Sequence, residues 1–438
     1  MYSAYVTSIK TLRKHSNADR LQIAELFGNS VIVDLSYHVG QRVLYFPSDG
    51  QLSEEFCRDN DLVRRKDENG NSVGGYLDPN KRNITAIKLR GEKSDGLILP
   101  IEVLSKYGDI STLEDGISIT EFCGHEICRK YIPRQNIVCH TDGNVSKTRK
   151  RNDVAKASYP FFIEHIDTQQ LAYSEGAFHP GDTCYITLKM HGTSARTANT
   201  IEIVRPRPNV FQRIFRIRPN EKRTYKCISG TRRTTLRDFD GGYYGSNAFR
   251  RRYHDFFKER LPKGMEVYYE IVGWIDNEKT IMGRCSNSLV KDKEFAKQYG
   301  EQTVFSYGCQ CGQNDCYVYR MTMMNEDGFM VELPWEQVKL ECDKMGVKHV
   351  QEFDKFIFTT WEDLMSRVEQ FYDGPDPIGQ THVREGVVVR IDNRPSFTAY
   401  KHKNFSFKCL EGIIKDNSDT PDIEEAEELF VEVMDDDV

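Results

Sequence analysis

The sequence predicts an α+β protein: a small β-rich module first, then a larger domain of antiparallel sheets with flanking helices. Three observations predict it. Short alternating apolar segments separated by turn residues recur at near-regular spacing over roughly the first hundred residues. Longer strand-like runs dominate the second half. Two stretches, Trp335 to Met345 and Thr360 to Tyr372, carry apolar residues three or four apart, the helical period. The 438 residues have room for two or three domains and a substantial core. The expected division is a module over 1–104, a linker region over 105–159, a second domain over 160–414 and an acidic tail over 415–438.

In the first segment, alternation appears in Tyr5-Val-Thr-Ser-Ile9, Leu21-Gln-Ile-Ala24, Val31-Ile-Val-Asp-Leu35 and Val43-Leu-Tyr-Phe46, a pattern that fits a small barrel. His15-Ser-Asn-Ala-Asp-Arg-Leu21 followed by Val39-Gly-Gln-Arg-Val-Leu-Tyr-Phe-Pro47 resembles the OB-fold tRNA-binding modules attached to some aminoacyl-tRNA synthetases. The similarity continues through Ile87-Lys-Leu-Arg-Gly91 and Ser94-Asp-Gly-Leu-Ile-Leu-Pro100. The resemblance implies an OB barrel that contacts nucleic acid, or one that serves only for docking and stability.

Thr141 to Asn152 is polar, basic and poor in apolar residues, as a linker should be. Beyond it, strands are expected at Ile201-Glu-Ile-Val204, Val267-Tyr-Tyr-Glu-Ile-Val272, Tyr317-Val-Tyr319 and Gly386-Val-Val-Val-Arg-Ile391. The residues from Asp416 onward are almost purely acidic, too poor in core-forming side chains for a domain. They are expected to be disordered or to dock a partner.

The net charge of −6 hides an asymmetry. From Arg205 to Lys263 the chain is heavily basic, including Arg207, Arg213, Arg216, Arg218, Arg232, Arg233, Arg237 and the run Arg250-Arg251-Arg252. A basic block in an acidic protein points to a phosphate-bearing partner, or to a solvated face balanced elsewhere. No apolar run approaches a membrane span, and the opening residues enter a strand pattern without a secretory signal. Twelve scattered cysteines fit reduced thiols. An intracellular protein is expected, cytoplasmic or nuclear, acting as a monomer. Cys309-Gln-Cys-Gly-Gln-Asn-Asp-Cys316 offers three thiols in one hairpin, and zinc there would need a fourth ligand from elsewhere.

One stretch carries a specific chemistry. A β-favouring run from Cys184 to Leu188 delivers Lys189 to the turn His191-Gly192-Thr193-Ser194. Gly192 allows close backbone approach or positive φ, and a lysine set beside other cations becomes a nucleophile. Lys-x-His-Gly-Thr resembles the active-site signature of ATP-dependent RNA ligases, a variant of the Lys-x-Asp-Gly motif of covalent nucleotidyltransferases, and the resemblance implies His191 and Gly192 against the nucleotide. Further stretches follow in the family's order. Ile228-Ser-Gly-Thr-Arg-Arg-Thr-Thr-Leu236 resembles the motif whose arginine contacts ribose and phosphates, which implies Arg232, with Arg233 as the alternative and Arg196 reaching the same nucleotide. Val267 to Gly273 resembles the third motif and implies Glu270 on the ribose hydroxyl or on metal-bound water. Tyr319, or else Tyr317, stands where the family places an aromatic against the purine. Arg384-Glu-Gly-Val-Val-Val-Arg390 resembles the fourth motif and implies Glu385 as ligand of Mg2+ or Mn2+. Tyr400-Lys-His-Lys403 resembles the fifth, implying Lys401 and Lys403 on the α-phosphate.

The resemblance spans residues 1–412 and is nearest to the nick-sealing branch with an OB module ahead of the catalytic domain. It implies ATP as co-substrate and a three-step reaction through lysyl–AMP and an AMP-capped end. The implied partner is RNA, as a nicked duplex of RNA or RNA/DNA hybrid, with Arg233, Arg250 and Arg251 on it. Two features depart from the pattern. Leu188 stands where relatives often carry a glutamate before the lysine, and no sizeable domain follows Lys403. The alternatives are a GTP-using capping-type guanylyltransferase, a DNA ligase and a non-catalytic RNA-binding protein.

Overall fold

Strand Arg42–Phe46 is the axis of the N-terminal module. It runs antiparallel between Ala4–Ser8 and Leu97–Pro100, with Ser118–Ile119 added beyond Ala4–Ser8. Both of its faces are buried because the residues alternate between two cores. Leu44 and Phe46 pack with Val6, Leu97, Leu99 and Phe56, while Val43 and Tyr45 pack with Ile9, Ala24, Val31 and Val33. The second core is closed by the meander Thr11–Lys14, Leu21–Leu26 and Asn29–Asp34. In this computed structural model the described residues are 2–133, 157–204, 220–236 and 247–416, with 206, 211, 215, 239 and 244 between them. Among the described residues the module's principal sheets have four, three and three strands, and their pairings do not join into one closed ring.

The module's packing runs past the expected boundary at residue 104. Ser118–Ile119 pairs with Ala4–Ser8, Cys128–Lys130 pairs with Gly50–Leu52, and Leu113, Ile119, Ile127 and Cys128 enter its core. Strands of two or three residues are too short to show a period in sequence, which is why this segment read as a linker. The polar stretch Thr141 to Asn152, Arg205, Arg207, Arg213, Arg216, Arg218 and Arg237, and the acidic tail beyond Asp416 lie outside the described residues.

Two sheets build the second half. The larger has the order Thr235–Leu236, Lys222–Gly230, Thr193–Val204, Met265–Gly273, Asn314–Met324 and Met330–Glu332, all antiparallel, with Ala157–Ser158 on Thr193–Val204. The smaller runs Gln169–Gln170, Thr398–Lys403, Gly386–Ile391, Thr183–Lys189, Glu352–Ile357, antiparallel except for the first pair. Helices form where the period placed them, at Trp335–Met345 and Trp361–Phe371. The second is capped by Thr360, whose hydroxyl accepts from the Asp363 amide.

Among the described residues four further α-helices were not expected: the short Glu54–Asp59 and Lys293–Tyr299 and two longer ones. Ala248–Lys258 buries Phe249, Tyr253 and Phe257, a helical spacing obscured by the arginines between them. Phe405–Asp416 starts at Asn404, whose side-chain oxygen accepts from the amides of Ser406 and Phe407. Its Phe407, Leu410 and Ile414 share the main core with Ala86 of the N-terminal module, so this helix joins the two halves. A second joint is aromatic: Tyr173 stacks on Tyr5 at 4.2 Å and meets Phe27 edge-on at 5.1 Å. No described helix is long and apolar enough to cross a membrane.

Candidate active site

Lys189 ends its strand where the chain crosses from the smaller sheet to the larger. The crossing is tight at Gly192, where a Cβ would lie 2.3 Å from the Ile271 carbonyl oxygen. Glycine is therefore required for close backbone approach between the sheets, and no positive φ is involved. Within the smaller sheet Lys189 pairs with Gly386 and Gly386 with Lys403, while Thr187 pairs with Val388 and Val388 with Lys401. Directly paired positions share a face, so Lys189 on one outer strand and Lys401 and Lys403 on the other project from the same side of this three-strand unit.

Glu385 lies at the start of the central strand of this trio, with its side chain only 2% exposed. Its Oε1 is 2.8 Å from Lys189 Nζ and 3.5 Å from Lys403 Nζ. Its Oε2 is buried with no hydrogen-bond donor among the described residues, the His191 Nδ1 standing 3.9 Å away. A buried carboxylate oxygen in that state suits a hard cation or a water bound to one. Lys403 in turn meets Glu411 at 2.7 and 2.8 Å. Burial alone would lower the Lys403 pKa, but the Glu411 and Glu385 carboxylates beside it raise the value above that of an ordinary lysine.

Between the sheets opens a cleft with a cavity volume of about 100 Å³. Lys189, Lys401, Glu270, Arg232 and Tyr319 all line it, five residues separated by more than two hundred positions in sequence. Glu270 accepts from the Ser194 hydroxyl at 3.0 Å, its cross-strand partner. Arg232 donates to Asp167 at 2.6 Å, and Arg233 lies half-exposed 3.6 Å from the same carboxylate. Burial acts to raise the Asp167 pKa, yet the arginines and His165 bring it below the usual range. Of the two tyrosines weighed for the base, Tyr319 faces the cleft and Tyr317 packs in the core. Burial, then Glu270, pushes the Tyr319 phenol upward, so it stays protonated, sharing a hydrogen bond with His165 Nδ1 at 3.0 Å.

Three residues expected on nucleotide or RNA sit elsewhere. Arg196 does not line the cleft: it stacks on Phe162 and donates to the carbonyls of Thr231, Ile163 and Arg233. Arg250 is buried, donating to the Ser194 carbonyl and the Thr193 hydroxyl, so it braces the turn after Lys189. The His191 ring is held between Phe305 and Phe407 beside Glu385, while its amide donates to Tyr307. Arg251, by contrast, is exposed. Among the described residues no three His, Cys, Asp or Glu side chains converge on a metal position, the Cys309, Cys311 and Cys316 hairpin included.

The sequence reading missed part of the lining: His165, Thr168, Thr187, Trp335, Arg390 and Phe397. Thr187 was recoverable, since it lies two residues before Lys189 on the same strand face. Arg390 likewise lies two strand turns beyond Gly386, its guanidinium held by Asp392 and the Leu333 carbonyl. His165 and Phe397 come from loops, where no periodicity marks a residue.

No protein-family model matches this chain, and no curated protein matches it. Solved structures do. A lysine-to-methionine mutant of Naegleria gruberi RNA ligase with AMP and Mn superposes with a TM-score of 0.55 at 15% identity, over 92% of this chain and 97% of that one. The Naegleria gruberi RNA ligase with PPi gives 0.54 at 15%, over 95% and 98%. A lysine-to-alanine mutant with ATP and Mn gives 0.54 at 15%, over 92% and 98%. The chain therefore shares the fold of the Naegleria gruberi RNA ligase along nearly its whole length.

Proposed function

We propose that this protein is an ATP-dependent RNA ligase that joins a 3′-hydroxyl RNA end to a 5′-phosphate end at nicks in duplexes. The observation that carries the reading is the Lys189–Glu385 contact at 2.8 Å, beside Glu270, Arg232 and Lys401, in a cleft of a fold shared with structures that hold ATP, AMP and Mn. The Lys189 amine, once deprotonated, attacks the α-phosphorus of ATP. An N–P bond forms, the bond to the β-phosphate bridging oxygen breaks, and pyrophosphate leaves. Lys189 then gives up AMP to the 5′-phosphate, and the RNA 3′-hydroxyl displaces AMP to close the strand.

In this reading Lys401 and Lys403 stabilise charge on the α-phosphate, Arg232 holds phosphate or ribose, and Tyr319 contributes an aromatic plane to the purine. Glu385 and Glu270 would hold Mg2+ or Mn2+, whose charge would offset that of the triphosphate. The N-terminal module serves as an OB-type element beside the cleft. Arg251 and Arg233 are exposed enough to meet RNA phosphates, while His191, Arg196 and Arg250 act by shaping the turn and the loops around it.

The experiment is sealing of a nicked duplex, RNA 3′-hydroxyl against 5′-phosphate, with ATP and magnesium, wild type beside Glu385→Ala. Sealing by wild type and its loss in the variant are expected. Full sealing by Glu385→Ala would overturn the metal assignment, and no sealing by either would overturn the substrate.

A further inference from the structure

We propose that Glu411 is a positioning residue for adenylyl transfer, and that Asp49 of the N-terminal module holds Glu411 in place through Lys415. The inference rests on the ligase reading and extends it to residues outside the cleft. Six charged groups of alternating sign run from the cleft to the module: Lys189, Glu385, Lys403, Glu411, Lys415 and Asp49. Successive contacts are 2.8, 3.5, 2.7, 3.7 and 2.7 Å. The side chains of Glu385 and Lys415 are 2% exposed and those of Lys403 and Glu411 13%, so solvent screens the chain little until Asp49.

The uneven spacing gives Glu411 its role. Lys403 has two carboxylates to choose from and sits closer to Glu411, at 2.7 and 2.8 Å, than to Glu385, at 3.5 Å. Glu411 therefore draws Lys403 back and leaves Glu385 to Lys189 and to a cation. Without the Glu411 charge, the buried Lys403 ammonium keeps Glu385 as the one carboxylate in contact among the described residues, Asp49 acting on it from farther away, and a poorly paired buried ammonium is strongly disfavoured. It would close on Glu385 and draw that carboxylate away from Lys189. The same logic runs outward. Lys415 divides its charge between Asp49 and Glu411, so losing Asp49 makes it compete with Lys403 for Glu411. Asp49 belongs to the N-terminal module and Lys415 to the helix that joins the halves, which makes docking of the module part of site assembly. Lys408 on that helix, 2.5 Å from Asp95, is a second ion pair across the same joint.

The test uses the full chain and α-labelled ATP with magnesium, following label on the protein against time and ATP concentration. Glu411→Gln is expected to slow labelling at saturating ATP on the order of 10²-fold, the effect of a displacement of about 1 Å at a reacting centre. Half-saturating ATP should change far less than the rate, because Glu411 does not line the cleft and acts on the nucleotide only through Lys403 and Glu385. Glu411→Asp should recover part of the rate. Asp49→Asn, which keeps the side chain's size at a site one-third exposed, should give a smaller loss in the same direction, with thermal melting measured beside it. Combining it with Lys415→Met should recover part of that loss, since the two changes together leave the remaining charges balanced. Labelling of Glu411→Gln at the wild-type rate, a change confined to half-saturating ATP, or a double variant no better than the worse single one would each overturn the inference alone. Absence of label on wild type would overturn the ligase reading, and this inference with it.

Discussion

Replacing Gly386 by alanine tests whether the three-strand geometry around Lys189 sets activity. Gly386 pairs with Lys189 on one side and Lys403 on the other, and its φ of 148° is one that side chains rarely adopt. A Cβ there would lie 2.1 Å from the His402 carbonyl oxygen and 2.8 Å from the Lys403 Cα. Both are backbone atoms, so no side chain can rotate away. Relieving the clash requires the two strands to part by about 1 Å, and a misplacement of that size costs on the order of 10²-fold in rate. The strain itself should destabilise the fold by about 3 kcal/mol, from overpacking and an unfavourable φ together. Labelling of the protein by ATP and thermal melting, measured side by side, separate the two effects. A Gly386→Ala protein that labels at the wild-type rate would refute the argument, because the contacts of Glu385 and Lys403 would then tolerate displacement.

Other outcomes follow from residues away from the cleft. Burial raises the Glu266 carboxyl to about 7 despite Arg196 nearby, above its ordinary 4.5. Its contribution to stability is thus complete below about pH 4.5 and is lost as pH rises through about 7, a change of about 3 kcal/mol. Glu266→Gln should flatten the fall in melting temperature over that window, and an unchanged slope would contradict the assignment. Arg250→Ala should destabilise by about 3 kcal/mol through its lost hydrogen bonds and packing. Arg251→Ala should leave melting unchanged while weakening RNA binding and lowering the salt slope by about one. Tyr173→Ala empties the space against Tyr5 and Phe27, costing about 3 kcal/mol, and should expose the joint between the halves to limited proteolysis.

The two periodic helices were legible because each buries one face, which imposes a period of 3.6, and strands buried on both faces, such as Met265–Gly273, were legible as continuous β-favouring apolar runs. Lys189, Glu270, Arg232, Tyr319, Glu385, Lys401 and Lys403 stood out in the sequence as an ordered series of short motifs; the structure puts five of them on one cleft, with Glu385 against Lys189 and Lys403 3.5 Å from Glu385. Arg196 and Arg250 were misplaced because a charged residue in sequence looks solvent-facing. Their guanidinium groups are instead satisfied by backbone carbonyls and aromatic rings, information held in the tertiary structure alone. The helix Phe405–Asp416 was missed because Lys401 and Lys403 drew the whole segment into a strand motif. Glu411 was invisible for the same reason, its partners lying eight residues back at Lys403 and four ahead at Lys415.

The most direct test of the central claim is whether Lys189 becomes covalently adenylylated. The full chain is incubated with α-labelled ATP or GTP and magnesium, beside Lys189→Ala, and label is read after denaturing electrophoresis. Label from ATP on the wild type and none on the variant is the predicted result. Label from GTP would place the chemistry with guanylyltransferases, and no label from either nucleotide on folded protein would contradict the account, leaving RNA binding without catalysis as its replacement.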